Sequence, residues 1–215
     1  MEPIEEFLKR ITVNAHSSVR IEAGAKVVYV DPFMLQAEPK DADVVFLTHD
    51  HFDHFSPEDV EKVRKPETVF VMPASTAKAA AELLKKHRIL TVAPGEKGEV
   101  DGLPFETVPA YNPAKPFHPQ ANHWVGYILT VDGLRVYVAG DTDATPEAAA
   151  VHCDVAMLPI GGKYTMDAPA AADLAARIRP AAVIPIHYGS VAGGMDAFDR
   201  FCAAADPALR IHRAF

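Results

Sequence analysis

Short apolar runs, rich in β-branched residues and cut off by Gly, Pro or charged residues, recur along the chain. Runs of that length and composition predict strands. Val19 to Glu22 and Lys26 to Val30 read as a pair joined by a turn at Gly24, and Asp31-Pro32 ends the second abruptly. Val44 to Thr48, Thr68 to Met72, Ile89 to Val92 and Phe105 to Tyr111 read as further strands. Trp124 to Val131 and Leu134 to Ala139 flank Asp132-Gly133, a strong hairpin signal. Asp154 to Leu158, Ala182 to Ile186 and a short Leu209 to His212 complete the strands.

Between them lie helical stretches. Glu2 to Arg10 reads as a short helix or an ordered arm. Ser56 to about Arg64 starts with a capping serine, a first-turn proline at 57 and two acids suited to the positive end of a helix. Ser75 to His87, with Ser75 as cap, is rich in Ala, Leu and Lys. Pro146 to Val151, Asp167 to Ile178 and Met195 to Ala205 follow. Hairpins come first, then strand and helix alternate, and near position 105 the pattern starts again. This order predicts a layered α/β fold, one domain of two similar halves at about 1–104 and 105–215.

One strand ends unlike the others. After Val44 to Thr48, ligand-type side chains crowd in: His49, Asp50, His51, Asp53 and His54. Imidazoles and carboxylates so packed would lose solvation in an apolar core. A metal ion removes the objection, because it takes neutral imidazole and ionised carboxylate together. His49 and His51 fall on one side of an extended backbone and can clamp one ion. Asp53 and His54 then turn toward a second, while Asp50 points the other way. Strand ends also deliver Asp141 and His187, and α/β folds place their chemistry at such ends.

Hydrophobic content of 49% over 215 residues supports a full core. The net charge of −8 argues against holding a long nucleic acid through its phosphates. Two cysteines, Cys153 and Cys202, make no disulfide framework and fit a reducing cytoplasm. MEPIEEFLKR lacks the apolar run of a signal peptide, and no stretch is long enough for a membrane span.

THDHFDH, followed by GDT at 140–142 and the late strand-end histidine, resembles the metallo-β-lactamase superfamily of metal-dependent hydrolases. Within it, AYNPAKPFHP, WVGYIL, AGDTD, LPIGGKYTMDA and IPIHYG resemble a group of short hydrolases. Ascorbate-phosphate lactonases and phospholipase-D-like N-acylethanolamine enzymes are more distantly similar. The resemblance implies a four-layer αβ/βα sandwich with two divalent ions between the sheets. It implies that His49 and His51 hold the first ion, that Asp53, His54 and His187 hold the second, and that Asp141 bridges them. The third histidine of the first ion would come from the loop before the middle hairpin. His118 is favoured, because Pro116 and Pro119 stiffen its loop. His123, directly before Trp124, is the alternative.

Such a site activates water for attack on a small ester, lactone or phosphodiester. Zinc suits the ligands best, with manganese, iron and nickel as alternatives. Catalytic candidates are Asp53, His16 as proton donor or substrate contact, and Tyr164 as a polarising group. Asp31 reads equally as a turn carboxylate or as support for a ligand. His87 reads as a helix-end charge, and His152 and His212 as structural or exposed. Trp124 reads as core or pocket wall. The expected partner is a small molecule, with self-association open. Alternative readings are an RNA-processing nuclease, which the acidic chain disfavours, a di-iron protein, which His51 disfavours, and a metal-dependent binding module without turnover.

Overall fold

A computed structural model describes residues 3–213, so Glu2 of the first expected helix lies outside the described residues. Helix α1 is Ile4–Leu8, followed by β1 (Ile11–Val13), β2 (Val19–Ala23), β3 (Lys26–Val30) and β4 (Ala42–Phe46). Then come α2 (Pro57–Val63), β5 (Arg64–Pro73), α3 (Ala74–Ala80) and β6 (Arg88–Val92). The second half holds β7 (Lys97–Val100), β8 (Leu103–Pro109), β9 (Val125–Val131), β10 (Leu134–Val138) and α4 (Pro146–Ala149). It closes with β11 (Val155–Pro159), α5 (Ala168–Ile178), β12 (Ala182–Ile186) and α6 (Asp196–Ala204).

Strands β1 to β6 form one sheet in sequence order, and β7 to β12 form a second. In each, the early neighbours pair antiparallel and the late ones parallel. Parallel neighbours need a crossover, and α2, α3, α4 and α5 supply four of them. The chain passes from one sheet to the other between Val92 and Lys97.

Alternation along the strands sets the layers. Val44 and Phe46 of β4 join Val71, Tyr127, Val138 and Ile184 in a core between the sheets. Val45 and Leu47 face the other way, onto Val60, Val63, Ala80 and Leu84 of the helical layer. Tyr137, Leu158 and Val183 likewise pack on Leu174, Ala175 and Phe201. The result is helix, sheet, sheet, helix, the expected four-layer αβ/βα sandwich. The hydroxyl of Tyr127 donates across the interface to the Leu47 carbonyl at 2.9 Å, a buried polar group satisfied in the core.

Most expected elements form, and the differences have causes. The Ser75–His87 helix ends at Ala80, and turns carry the chain on to β6 with Leu84 anchored in the core. Ser75 is not its cap. Pro73 holds that position, and the Ser75 hydroxyl accepts the Trp124 indole N–H at 3.1 Å. His87 therefore terminates no helix, and its ring lies against Arg64 and the Phe70 ring. The expected last strand is reduced to one bridge between Val183 and Ile211. Pro185 lacks the N–H that would carry that ladder further along β12. β1 and β7 lacked a sequence signal because they are short, and β7 contains Gly98.

Candidate metal centre

The C-terminal ends of β3, β4, β10 and β12 converge at one rim of the sandwich. They deliver Asp31, the Thr48 to His54 loop, Asp141 and His187 there. Two glycines allow the approach. A Cβ on Gly140 would lie 3.1 Å from the Val125 carbonyl and 3.2 Å from Thr48, where the Val125 N–H donates to the Thr48 carbonyl across the sheets at 3.3 Å. A Cβ on Gly161 would stand 2.4 Å from the His187 carbonyl. His16, Asp31 and His187 adopt positive φ angles of 54°, 48° and 58°. Non-glycine residues pay strain there, and such strain gathers at functional sites.

Three groups of ligand atoms lie within 4.8 Å: His49, His51 and His118; His49, His54 and Asp141; and His16, Asp53, His54 and His187. Asp141 sits between them. Its Oδ2 is 3.2 Å from His118 Nε2 and 2.9 Å from His187 Nε2, and its Oδ1 is 3.1 Å from His54 Nε2. Asp53 Oδ2 is 3.9 Å from both His54 and His187. His49 Nε2 faces His51 Nδ1 at 3.1 Å.

The second ring nitrogens of His54, His118 and His49 are tied down. Asp31 accepts from His54 Nδ1 at 2.7 Å, and also from the Thr48 amide and hydroxyl. Asp31 thus supports the histidine loop. Asn112 accepts from His118 Nδ1 at 2.7 Å, and the Thr48 hydroxyl lies 3.0 Å from His49 Nδ1. Each tie leaves the opposite nitrogen aimed at the centre, the arrangement that orients metal-ligating histidines. His54 Nε2, His118 Nε2, His187 Nε2 and Asp141 Oδ1 are buried without a hydrogen bond of acceptable geometry. Orphaned buried groups are costly, and cations bound among them would satisfy all four. The donor set therefore fits divalent metal.

Electrostatics agree. Burial works against the Asp141 charge, but His187 and His54 outweigh it and hold its carboxyl well below the usual range. Burial likewise opposes charge on His54, yet Asp141 and Asp31 hold its imidazole well above its ordinary value. Burial, then the His54 charge, pushes His49 well down. A cation at this cluster would compete with a proton for His54 Nε2.

His118, not His123, joins this cluster. His118 is buried, whereas His123 is exposed and borders a separate hollow beside Pro109 and Gln120. His16 faces the centre, with its Nε2 3.1 Å from Asp53 Oδ2, its ring 3.8 Å from that of His187, and the Ser190 hydroxyl 3.0 Å from Nδ1. Burial drives its pKa down to about 4, and Asp53 only partly opposes this. Tyr164 stands in the wall of a pocket of about 220 Å³ whose floor is His51, Asp53, His118 and Asp141. Asp50 lies outside the three groups. Trp124 is buried, its ring 4.8 Å from those of His49 and His51, and it does not line this pocket. Sequence reasoning missed Asn112 and Ser190, since a lone amide and a loop serine carry no motif.

A sequence profile described as a beta-lactamase superfamily domain matches residues 10–187. The chain belongs to the metallo-β-lactamase superfamily. A UPF0173 metal-dependent hydrolase of Methanosphaerula palustris is 34% identical over 191 residues, 84% of each chain. One from Aeropyrum pernix is 30% identical over 208 residues, covering 85% of this chain and 84% of the relative. This superfamily member thus falls within that family of hydrolases. A Parabacteroides distasonis structure, solved as a candidate metal-dependent hydrolase, superposes with a TM-score of 0.79 at 30% identity. It covers 94% of this chain and 91% of the other. Among the described residues, no helix is long and apolar enough to cross a membrane.

Proposed function

We propose that this metallo-β-lactamase-fold chain is a hydrolase using two divalent ions, zinc above all, to cleave a small ester, lactone or phosphodiester. His49, His51 and His118 would hold one ion, Asp53, His54 and His187 the other, with Asp141 shared between them. The observation that carries this reading is the gathering of buried, unsatisfied His54, His118 and His187 nitrogens around the Asp141 carboxylate. Bound there, such ions supply an acidified water and Lewis acidity toward a substrate oxygen.

The chain's own groups then divide the remaining work. Asp53 lines the pocket and offers a carboxylate to accept a proton at the reacting centre. Burial disfavours its charge, but the His16 hydrogen bond and His54 outweigh that and bring its pKa to about 2. His16 itself is buried and does not line the pocket, so it serves as a positioning residue: Ser190 donates to its Nδ1, and its Nε2–H donates to Asp53. Tyr164 presents a hydroxyl-bearing ring at the wall for a substrate or leaving-group oxygen. Two cysteines without a disulfide suit a reducing compartment such as the cytoplasm.

The test is a panel of ester, lactone, thioester and phosphodiester substrates with the zinc-loaded chain. Hydrolysis that Asp141→Ala abolishes is expected. A panel left untouched by the loaded protein contradicts the assignment.

A further inference from the structure

The pocket above the centre has two unlike parts. Its floor is ligand-type, but its walls are Phe52, Phe117, Tyr164 and Val191, and among the described residues no Lys or Arg lines it. Phe52 is 67% exposed and Phe117 37%, and both sit at this one mouth. Phe52 lies between His51 and Asp53, and all three line the pocket. Its ring meets Phe33 edge-on at 6.1 Å, and Phe117 meets Tyr164 edge-on at 4.7 Å. Large apolar side chains gathered at one mouth in water mark a binding surface.

The cations nearby in sequence do not themselves line the pocket. The Lys163 ammonium lies over the Tyr164 ring, 4.8 Å from its centre. Lys115 bonds to Asp143 and to the Thr165 carbonyl. Beyond a metal in the floor, anionic oxygens are held by Arg forks, Lys or helix N-termini, and among the described residues the wall offers none of these. The chain's net charge of −8, only partly offset by two divalent ions, also disfavours anions at range. With about 220 Å³, the pocket holds a compact group directly above the floor.

We propose that the pocket selects a small, uncharged substrate with an apolar or aromatic body, a neutral ester or lactone, over phosphodiesters and other anions. This rests on the hydrolase reading above and narrows it. Phe52 and Phe117 hold the body, and the Tyr164 hydroxyl is the wall's hydrogen-bonding group.

The experiment compares p-nitrophenyl butyrate with its anionic counterpart p-nitrophenyl hemisuccinate and with bis(p-nitrophenyl) phosphate, using the zinc-loaded full chain. Saturation-transfer NMR in parallel follows binding of the uncleaved anilides of butyric and succinic acid. The neutral ester is expected to be preferred by roughly tenfold or more in kcat/KM, and only the neutral anilide to bind. Phe52→Ser and Phe117→Ser should each raise KM for the neutral ester by roughly tenfold, with metal content and kcat kept. Preference for the phosphodiester or the hemisuccinate overturns the proposal and leaves the hydrolase reading standing. If nothing is hydrolysed, that reading fails, and the anilide comparison alone decides the pocket's class: tighter binding of the anionic anilide, or equal binding, overturns it. A Phe52→Ser chain that changes from dimer to monomer with KM unchanged makes the patch a self-association surface and also overturns it.

Discussion

Asp31 grips His54 from behind: a carboxylate oxygen and the imidazole Nδ1, both wholly buried, lie 2.7 Å apart. The same carboxylate accepts the Thr48 amide and hydroxyl, so one side chain fixes both the start of the histidine loop and the direction of His54 Nε2. Groups behind a metal ligand commonly tune affinity by 10–100-fold. Asp31→Asn is therefore expected to weaken zinc binding by roughly that factor while the fold survives. Competition against a chromogenic chelator checks it, and unchanged affinity would deny Asp31 this role.

His118 and His123 separate in the same kind of experiment. His118→Ala should lose about half the bound metal, and His123→Ala should keep all of it. Trp124, the single tryptophan, lies 4.8 Å from both His49 and His51 and 5.7 Å from His118. Its emission should change as metal is added to the parent and to His123→Ala. The reverse pattern of loss would make His123 the ligand.

Much of this centre was legible because ligand residues cluster at the end of one strand and recur, at Asp141 and His187, at the ends of others. The pattern failed where tertiary contacts overrode local preference. Ser75 looked like a cap, but the Trp124 indole takes its hydroxyl. The alanine- and lysine-rich stretch after it promised a longer helix, yet the chain leaves the helix at Ala80 to reach β6. Asn112 and Ser190 reach the site through loops whose shape no periodicity encodes.

His16 acts through Asp53, so its loss should fall on turnover. His16→Gln is expected to lower kcat by roughly 10–100-fold, with KM and metal content little changed. Ser190→Ala should do the same more weakly, because it frees the His16 ring without removing it. A His16→Gln protein that keeps full kcat, or that loses its metal, shows another role.

Asp59 supports the loop after β3, accepting the Met34 and Leu35 amides at 2.9 Å each, with Ser56 and Lys62 beside it. Burial opposes its charge, but the Ser56 and Lys62 contacts outweigh that and depress its pKa. Its stabilisation is thus complete above the unfolded value of about 3.9 and fades as pH falls through the folded value. Asp59→Asn should cost about 1–3 kcal/mol at neutral pH in urea unfolding. The gap should narrow in acid; a gap that widens there contradicts the assignment.

The central claim is that the buried cluster around Asp141 holds metal and that hydrolysis depends on it. Elemental analysis of the purified chain before and after dialysis against a chelator, with hydrolysis of the responsive substrate followed in parallel, tests it most directly. The expected result is about two transition-metal ions per chain, activity lost with the metal and restored by zinc. Full hydrolytic activity in metal-free protein would contradict the account.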